Sequence, residues 1–96
     1  MMAVSSARPT AATRRAIDRA RDALAEDVRR LREDAGLTRA ALARASHVDP
    51  STINRIEDGS VSPSLETTSA LASALGADYV ARLYPHTGPQ LRERHQ

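Results

Sequence analysis

Side chains that can donate or accept hydrogen bonds are concentrated between Ala45 and Gly59, in the stretch ASHVDPSTINRIEDG. Two large apolar residues, Ile53 and Ile56, are spaced to lie on one side of a short helix. The remaining helical positions carry hydroxyl, amide and guanidinium groups, on Ser51, Thr52, Asn54 and Arg55. Such groups recognise a surface outside the protein through hydrogen bonds. No nucleophile–base pairing, carboxylate pair or glycine-rich phosphate loop stands out in the sequence, so we expect a binding protein and not an enzyme.

The composition indicates one small helical domain. The chain has 96 residues, which suggests a single domain. It contains no Phe or Trp, so the core must come from Leu, Ile, Val and Ala, at spacings that suit helices. The net charge of +2 says little about partners. All 14 basic residues are arginines, however, and the planar guanidinium group matches phosphate and guanine well.

Several classes of site and location are not expected from this sequence. Cysteine is absent, which excludes disulfides and thiolate metal sites. The histidines at 47, 86 and 95 lack the spacing of metal ligands. No apolar run is long enough to span a bilayer, and the N-terminus lacks the apolar core of a signal peptide. We therefore predict a soluble, cytoplasmic protein without a metal, a cofactor or a membrane partner.

Caps, stops and apolar spacing predict an all-α chain with five helices. Thr38 is suited to cap the second helix, and Asp49 the third, with Pro50 at its first helical position. Gly36 and Gly59 are suited to end the first and third helices. The first helix is long, thinly apolar in its first half, and expected to fray there or to need a partner. The predicted helices span about 12–35, 38–46, 50–58, 64–75 and 78–84.

Two short helices joined by a three-residue turn form the helix-turn-helix arrangement. Here the turn is His47–Asp49. A helix that enters a DNA major groove about 12 Å wide must be narrow, exposed at its N-terminal end and held from behind by apolar residues. The helix at 50–58 meets these requirements, with Ile53 and Ile56 on its inner side. The sequence therefore predicts that helix 50–58 contacts the DNA major groove.

Residues 28–84 resemble the Cro/phage-repressor-type helix-turn-helix family, also called the xenobiotic-response-element family. The stretches that carry the resemblance are VRRLREDAGLTRAALARAS, HVDPSTINRIEDG and SPSLETTSALASALGADYV. Ala43 matches a position where that family needs a small residue so that two helices cross closely. The resemblance implies a repressor or activator, often a homodimer, on a palindromic operator in double-stranded DNA. We expect a flexible arm at 1–11, the compact domain at 12–84 with its motif at 38–58, and a tail or the start of a missing segment at 85–96.

The resemblance also implies roles for single residues. Arg32 and Glu57 match a pair that often forms a partly buried salt bridge between the first and third helices. The positions expected to reach base edges are Ser51, Asn54 and Arg55. The positions expected to contact the DNA backbone are Thr38, Arg39, Thr52, Ser60 and Ser62. The exposed apolar residues expected to form a dimer face, or else to pack against the fourth helix, are Val80, Leu83 and Tyr84.

Two positions depart from the pattern of that family. His47 stands where relatives usually carry Gly and where the backbone tends to need a positive φ. Histidine is among the less penalised residues in that conformation. Pro50 stands where many relatives place a Gln or Arg that contacts a base. Its presence removes one base contact and gives Arg55 more weight, so the preferred operator does not follow from the sequence.

Other readings of the same residues remain open at the level of sequence. The poorly anchored extension at 1–24 fits an antitoxin that binds a toxin and also regulates its own operon. The low net charge and Pro50 permit an interaction module that binds protein and not DNA. Ser60 and Ser62 suit turns and caps as well as phosphate contacts. The arginines at 8, 14 and 15 suit an inert tail as well as an arm along the DNA backbone.

Overall fold

The computed structural model describes residues 10–85, which contain four α-helices and no strand. These helices are α1 (Ala11–Asp34), α2 (Arg39–Ser46), α3 (Pro50–Glu57) and α4 (Leu65–Ala74). The predicted all-α class is confirmed. The predicted arm and tail fall largely on residues 1–9 and 86–96, which lie outside the described residues.

Each helix begins at a side chain that accepts a hydrogen bond from the first turn. The Thr38 hydroxyl accepts from the Ala41 N–H at 3.0 Å, and Asp49 Oδ2 accepts from the Ser51 N–H at 2.9 Å. Thr10 and Ser64 cap α1 and α4 in the same way. These caps satisfy N–H groups that have no partner inside the helix, so they fix where each helix starts.

Gly59 ends α3 in a conformation that few other residues adopt. Its φ is 72°, and a Cβ atom built there would lie 2.9 Å from Asp22 Oδ1 of α1. The next residue, Ser60, donates its N–H to the Arg55 carbonyl at 3.0 Å and closes the last turn. Glycine at this position therefore ends α3 and leaves room for the Asp22 side chain of α1.

The core lies where α3 packs against α1 and α2, and where α4 packs against α2. Its fully buried side chains are Leu42, Ile53, Ile56 and Leu71. Val28 of α1 and Ala43 of α2 complete the cluster. Small and aliphatic side chains allow the short helices to lie close together, so the inner side of α3 is covered from two directions.

The prediction of a fifth helix at 78–84 is wrong. Residues 77–85 carry no helix, and Val80, Leu83 and Tyr84 are exposed by 66%, 99% and 76%. A segment of two turns is not stable in water unless its apolar face packs against something. Core packing of these three side chains against α4, the alternative reading, is therefore also wrong in this structure.

The first half of α1 is a continuous helix from Ala11 although almost all of its side chains are exposed. Within α1, Ile17 is the only large apolar side chain before Leu24, and it is half-buried. The Thr10 cap starts this half, and the packed second half, around Ala25 and Val28, extends it. Within residues 10–85 no helix is both long and apolar enough to cross a membrane.

Candidate nucleic-acid interface

The two sides of α3 differ sharply in exposure. Ile53, Ile56 and Glu57 are buried, with at most 3% of their surface exposed. Ser51, Asn54 and Arg55 are exposed, and Thr52 is half-buried. The helix is eight residues long, and an α-helix with its side chains is about 10–12 Å in diameter. A short helix held from behind and polar in front has the dimensions for docking into a groove of similar width.

At the N-terminal end of α3, Asp49 organises two nearby groups. Its carboxylate accepts hydrogen bonds from both the N–H and the hydroxyl group of Ser51. These bonds, led by the one from the hydroxyl, lower the pKa of the Asp49 carboxyl, and the positive charge of Arg55 acts in the same direction. The Ser51 hydroxyl therefore directs its hydrogen toward the cap, which leaves its oxygen to accept a bond from outside.

Arg55 is the basic side chain of the outward face. No hydrogen bond or ion pair joins its guanidinium to another group of residues 10–85. All five N–H donors are thus available to a ligand, and the fork matches two acceptors on a guanine edge or a phosphate. This is the arrangement expected of a residue that contacts nucleic acid directly.

The turn between α2 and α3 is built around a left-handed residue. His47 has φ 59° and ψ 29°, and it is the only non-glycine residue among residues 10–85 with a positive φ. The buried Ser46 hydroxyl donates to the Leu42 carbonyl at 2.7 Å and accepts the Val48 N–H at 3.3 Å. The expected positive φ at position 47 is therefore present, and side-chain hydrogen bonds fix the angle at which α3 leaves α2.

Behind the outward face, the buried Glu57 carboxylate binds two arginines. Arg32 of α1 donates to it through Nε at 2.8 Å and Nη2 at 3.0 Å, and Arg39 of α2 donates through Nε at 3.1 Å. Arg32 also donates from Nη1 to the Leu37 carbonyl at 2.9 Å. The hydrogen bond to Glu57 raises the pKa of the Arg32 guanidinium. One carboxylate thus ties α1, α2 and α3 together in a charge-assisted network.

Arg39 links this network to the outward face. Its Nη1 donates to Asn54 Oδ1 at 3.0 Å, while its Nε is held by Glu57. Arg39 was expected to contact the DNA backbone and Asn54 a base, but no sequence signal indicated that the two residues touch. The contact joins positions 15 residues apart, so it depends on how α2 and α3 pack.

A family model described as a helix-turn-helix domain matches residues 23–83, which is more than half of the chain. The chain belongs to the helix-turn-helix domain family. The match confirms the family resemblance that was inferred from the sequence, and it is consistent with the Cro/phage-repressor type. No match was found among curated proteins or among solved structures.

In this helix-turn-helix domain, three residues predicted to contact the DNA backbone also have structural partners. The Thr38 hydroxyl caps α2, and the Ser60 hydroxyl donates to the Arg55 carbonyl at 3.1 Å. The Ser62 hydroxyl oxygen accepts from Arg21 Nε of α1 at 2.9 Å. All three side chains are on exposed residues. Sequence reasoning did not find the Arg21–Ser62 contact, because the residues are 41 positions apart and share no motif.

In the part of the helix-turn-helix chain that the structure describes, the exposed large apolar residues lie mostly after α4. Tyr79, Val80, Leu83 and Tyr84 are all exposed, and only Tyr79 lines a shallow groove with Ala23, Leu24 and Pro63. In residues 10–85, no group of three or more His, Asp and Glu side chains is placed to hold a metal ion. What this surface offers is hydrogen bonding from α3 and apolar contact from the segment after α4.

Proposed function

We propose that this protein is a sequence-specific double-stranded DNA-binding protein that regulates transcription, with α3 docked in the major groove. The observation that carries the proposal is the Arg55 guanidinium. It stands exposed on a helix whose opposite side is fully buried, and it has no partner among residues 10–85. Membership of the helix-turn-helix family supports the same reading.

In the proposed complex, Arg55, Ser51 and Asn54 face base edges. Arg55 supplies two parallel donors to guanine O6 and N7, and Ser51 supplies an oxygen that accepts from a base amino group. The hydroxyls of Thr38, Thr52 and Ser62 supply hydrogen-bond donors to phosphate, and the Ser60 hydroxyl joins them only by exchanging its bond to the Arg55 carbonyl for one to phosphate. Those contacts set the position of the domain on the duplex without selecting sequence.

The test compares Arg55→Ala with Arg30→Ala in binding to duplex DNA from around the gene of the protein, beside scrambled duplex of equal length. Each variant loses one exposed arginine, and Arg30 lies on α1 in an exposed ion pair with Asp27. We expect Arg55→Ala to lose roughly 1–3 kcal/mol of discrimination between the two duplexes. Arg30→Ala should keep that discrimination, and the Tm of both variants should stay close to the wild-type value.

A salt titration in the same experiment separates phosphate from base contacts. Each phosphate contact contributes about 0.9 to the slope of log affinity against log salt. Discrimination that persists in Arg55→Ala would remove Arg55 from the base-contacting set. Equal affinity of the wild-type protein for both duplexes at all salt concentrations would refute sequence-specific binding to that region.

We infer further that the protein acts as a homodimer on a palindromic operator, as a transcriptional regulator of the Cro/phage-repressor type. The exposed Val80, Leu83 and Tyr84 support a dimer face after α4. Two copies of α3 would then sit about 34 Å apart, one turn of DNA. Leu83→Glu should lower the apparent mass in sedimentation without lowering the Tm of the monomer, and an unchanged mass would exclude this face.

An antitoxin role is the second candidate. The exposed first half of α1 supports it, because residues 11–23 offer a helical surface with few contacts to the rest of the domain. Co-expression with the product of each neighbouring gene tests this role. A complex that forms with the full chain but not with a chain starting at residue 21 would support it, and no complex with any neighbour would refute it.

A further inference from the structure

The Asn54 side chain on the outward face of α3 is held in one orientation by Arg39 of α2. Arg39 Nη1 lies 3.0 Å from Asn54 Oδ1, and Arg39 Nε lies 3.1 Å from Glu57 Oε1. The Glu57 side chain is completely buried, whereas Arg39 is 42% exposed and Asn54 is an exposed residue. A buried carboxylate thus positions an arginine, which in turn contacts a residue on the exposed surface.

Arginine has donors and no acceptor, and this decides which amide atom of Asn54 faces it. Only the amide oxygen can accept the bond from Nη1, because the amide NH₂ group would place donor against donor. The Asn54 oxygen therefore faces α2, and its NH₂ group points the other way. Without Arg39, the amide could rotate by half a turn and exchange its donor with its acceptor.

The order of donor and acceptor matters because each base pair presents a different pattern in the major groove. Adenine offers an acceptor at N7 and a donor at N6, and guanine offers two acceptors. An amide fixed in one orientation can match such a pattern in only one direction along the groove. An amide that rotates freely matches the pattern in both directions and selects less strictly.

We propose that Arg39 is a positioning residue that fixes the direction in which Asn54 contacts a base, so that selectivity at that base depends on Arg39. The inference rests on the proposed DNA-binding function and assigns Arg39 a role different from direct contact with phosphate. Glu57 supports this role because its carboxylate accepts a hydrogen bond from Arg39 Nε. When Arg39 is replaced, Arg32 still donates two hydrogen bonds to the Glu57 carboxylate.

The test measures base preference by selecting bound sequences from a randomised duplex library. The proteins are the wild type, Asn54→Ala, Arg39→Met and the double variant, with Arg44→Met as the matched control. Arg44 is an exposed arginine on the same helix and has no hydrogen bond or ion pair with other residues in 10–85. Asn54→Ala identifies the base position that Asn54 contacts.

We expect Arg39→Met to lose roughly 5- to 10-fold of the preference at that same position. The double variant should be no worse there than Asn54→Ala, because Arg39 acts through Asn54. Arg39→Lys, which keeps a donor without an acceptor, should retain part of the preference. Arg44→Met should retain all of it, and thermal unfolding should show that each variant is folded.

A measurement without DNA separates the inference from the proposed function. The side-chain amide signals of Asn54 in a ¹H–¹⁵N NMR spectrum should shift in Arg39→Met and stay unchanged in Arg44→Met. Unshifted signals in Arg39→Met would overturn the inference whatever the protein binds. The NMR signals could shift while Arg39→Met leaves the preference at the base contacted by Asn54 unchanged. That result would also overturn the inference, and it would leave the proposed DNA binding intact. No selected sequence even for the wild type would overturn both proposals.

Discussion

Two short segments of this protein begin alike and end differently. The first is α3, which starts at Asp49 and forms a helix. The second is the segment 78–84, which starts at Asp78, is followed by Pro85, and forms no helix. Both begin with an aspartate, a residue type that often caps helices, and both carry apolar side chains at helical spacing. In α3 those side chains, Ile53 and Ile56, are at most 1% exposed.

The difference shows that local signals place a short helix but do not stabilise it. The nucleation of two turns is unfavourable, and a capping bond returns only part of that free energy. α3 is completed by burial against α1 and α2. The segment after α4 has no such cover within residues 10–85, and its Leu83 is 99% exposed.

Replacing one apolar residue in each segment should give the largest contrast. Ile53→Ala should lower the free energy of unfolding by about 3–4 kcal/mol, because the side chain is fully buried and leaves a cavity. Leu83→Ala should change it by less than about 0.5 kcal/mol. Urea unfolding at low protein concentration measures both values. Similar losses in the two variants would show that residues 78–84 pack against the domain in solution.

The charges behind α3 provide the next contrast. Arg32→Ala removes the arginine that donates two hydrogen bonds to the buried Glu57 carboxylate. It should lower the free energy of unfolding by about 3 kcal/mol. This value is near the lower end for a broken buried ion pair, because Arg39 still pairs with Glu57. Arg30→Ala breaks an ion pair whose side chains are each 57% exposed. It should cost less than about 1 kcal/mol.

Equal effects of these two substitutions in thermal unfolding would mean that the Glu57 network adds nothing beyond an ordinary surface pair. Loss of DNA binding in Arg32→Ala should follow its loss of folded protein. It should therefore recover at temperatures where the variant is folded.

The smallest contrast concerns the two aspartates that open the segments. Asp49→Ala removes the bonds to the Ser51 N–H and hydroxyl and should lower the Tm by roughly 4–8 °C, as loss of a helix cap does in a domain of this size. Asp78→Ala should leave the Tm unchanged, since no helix begins there. Equal Tm shifts would refute the assignment of Asp49 as the only working cap of the two.

The Asp49 cap should also depend on pH. Hydrogen bonds from Ser51 lower the pKa of Asp49 in the folded state. The stabilisation is therefore complete above the ordinary aspartate pKa and is lost as the pH falls through the lowered folded value. Asp49→Asn keeps a capping oxygen without this titration. The stability of the wild type relative to Asp49→Asn should thus fall on acidification, and a constant difference would contradict the assignment.

Much of the fold and some of the site were predictable because they depend on neighbours in the sequence. Thr38 and Asp49 cap the helices that they were expected to cap, and His47 has the expected positive φ. The pairing of Arg32 with Glu57 was inferred through the family pattern, and the structure brings the two side chains together. The failure at residues 78–84 arose because no local signal reports whether an apolar face will be covered.

By itself, the sequence determined where α2, α3 and α4 start and end and which side of α3 faces inward, because capping bonds and helical spacing act within a few residues. The tertiary structure alone decided which helices persist and which polar groups meet. It left residues 78–84 without a helix, bound Ser62 to Arg21, and turned Arg39 toward Asn54 and Glu57. These outcomes depend on burial and on hydrogen bonds between residues far apart in the chain, so they follow from packing and not from any short stretch of residues.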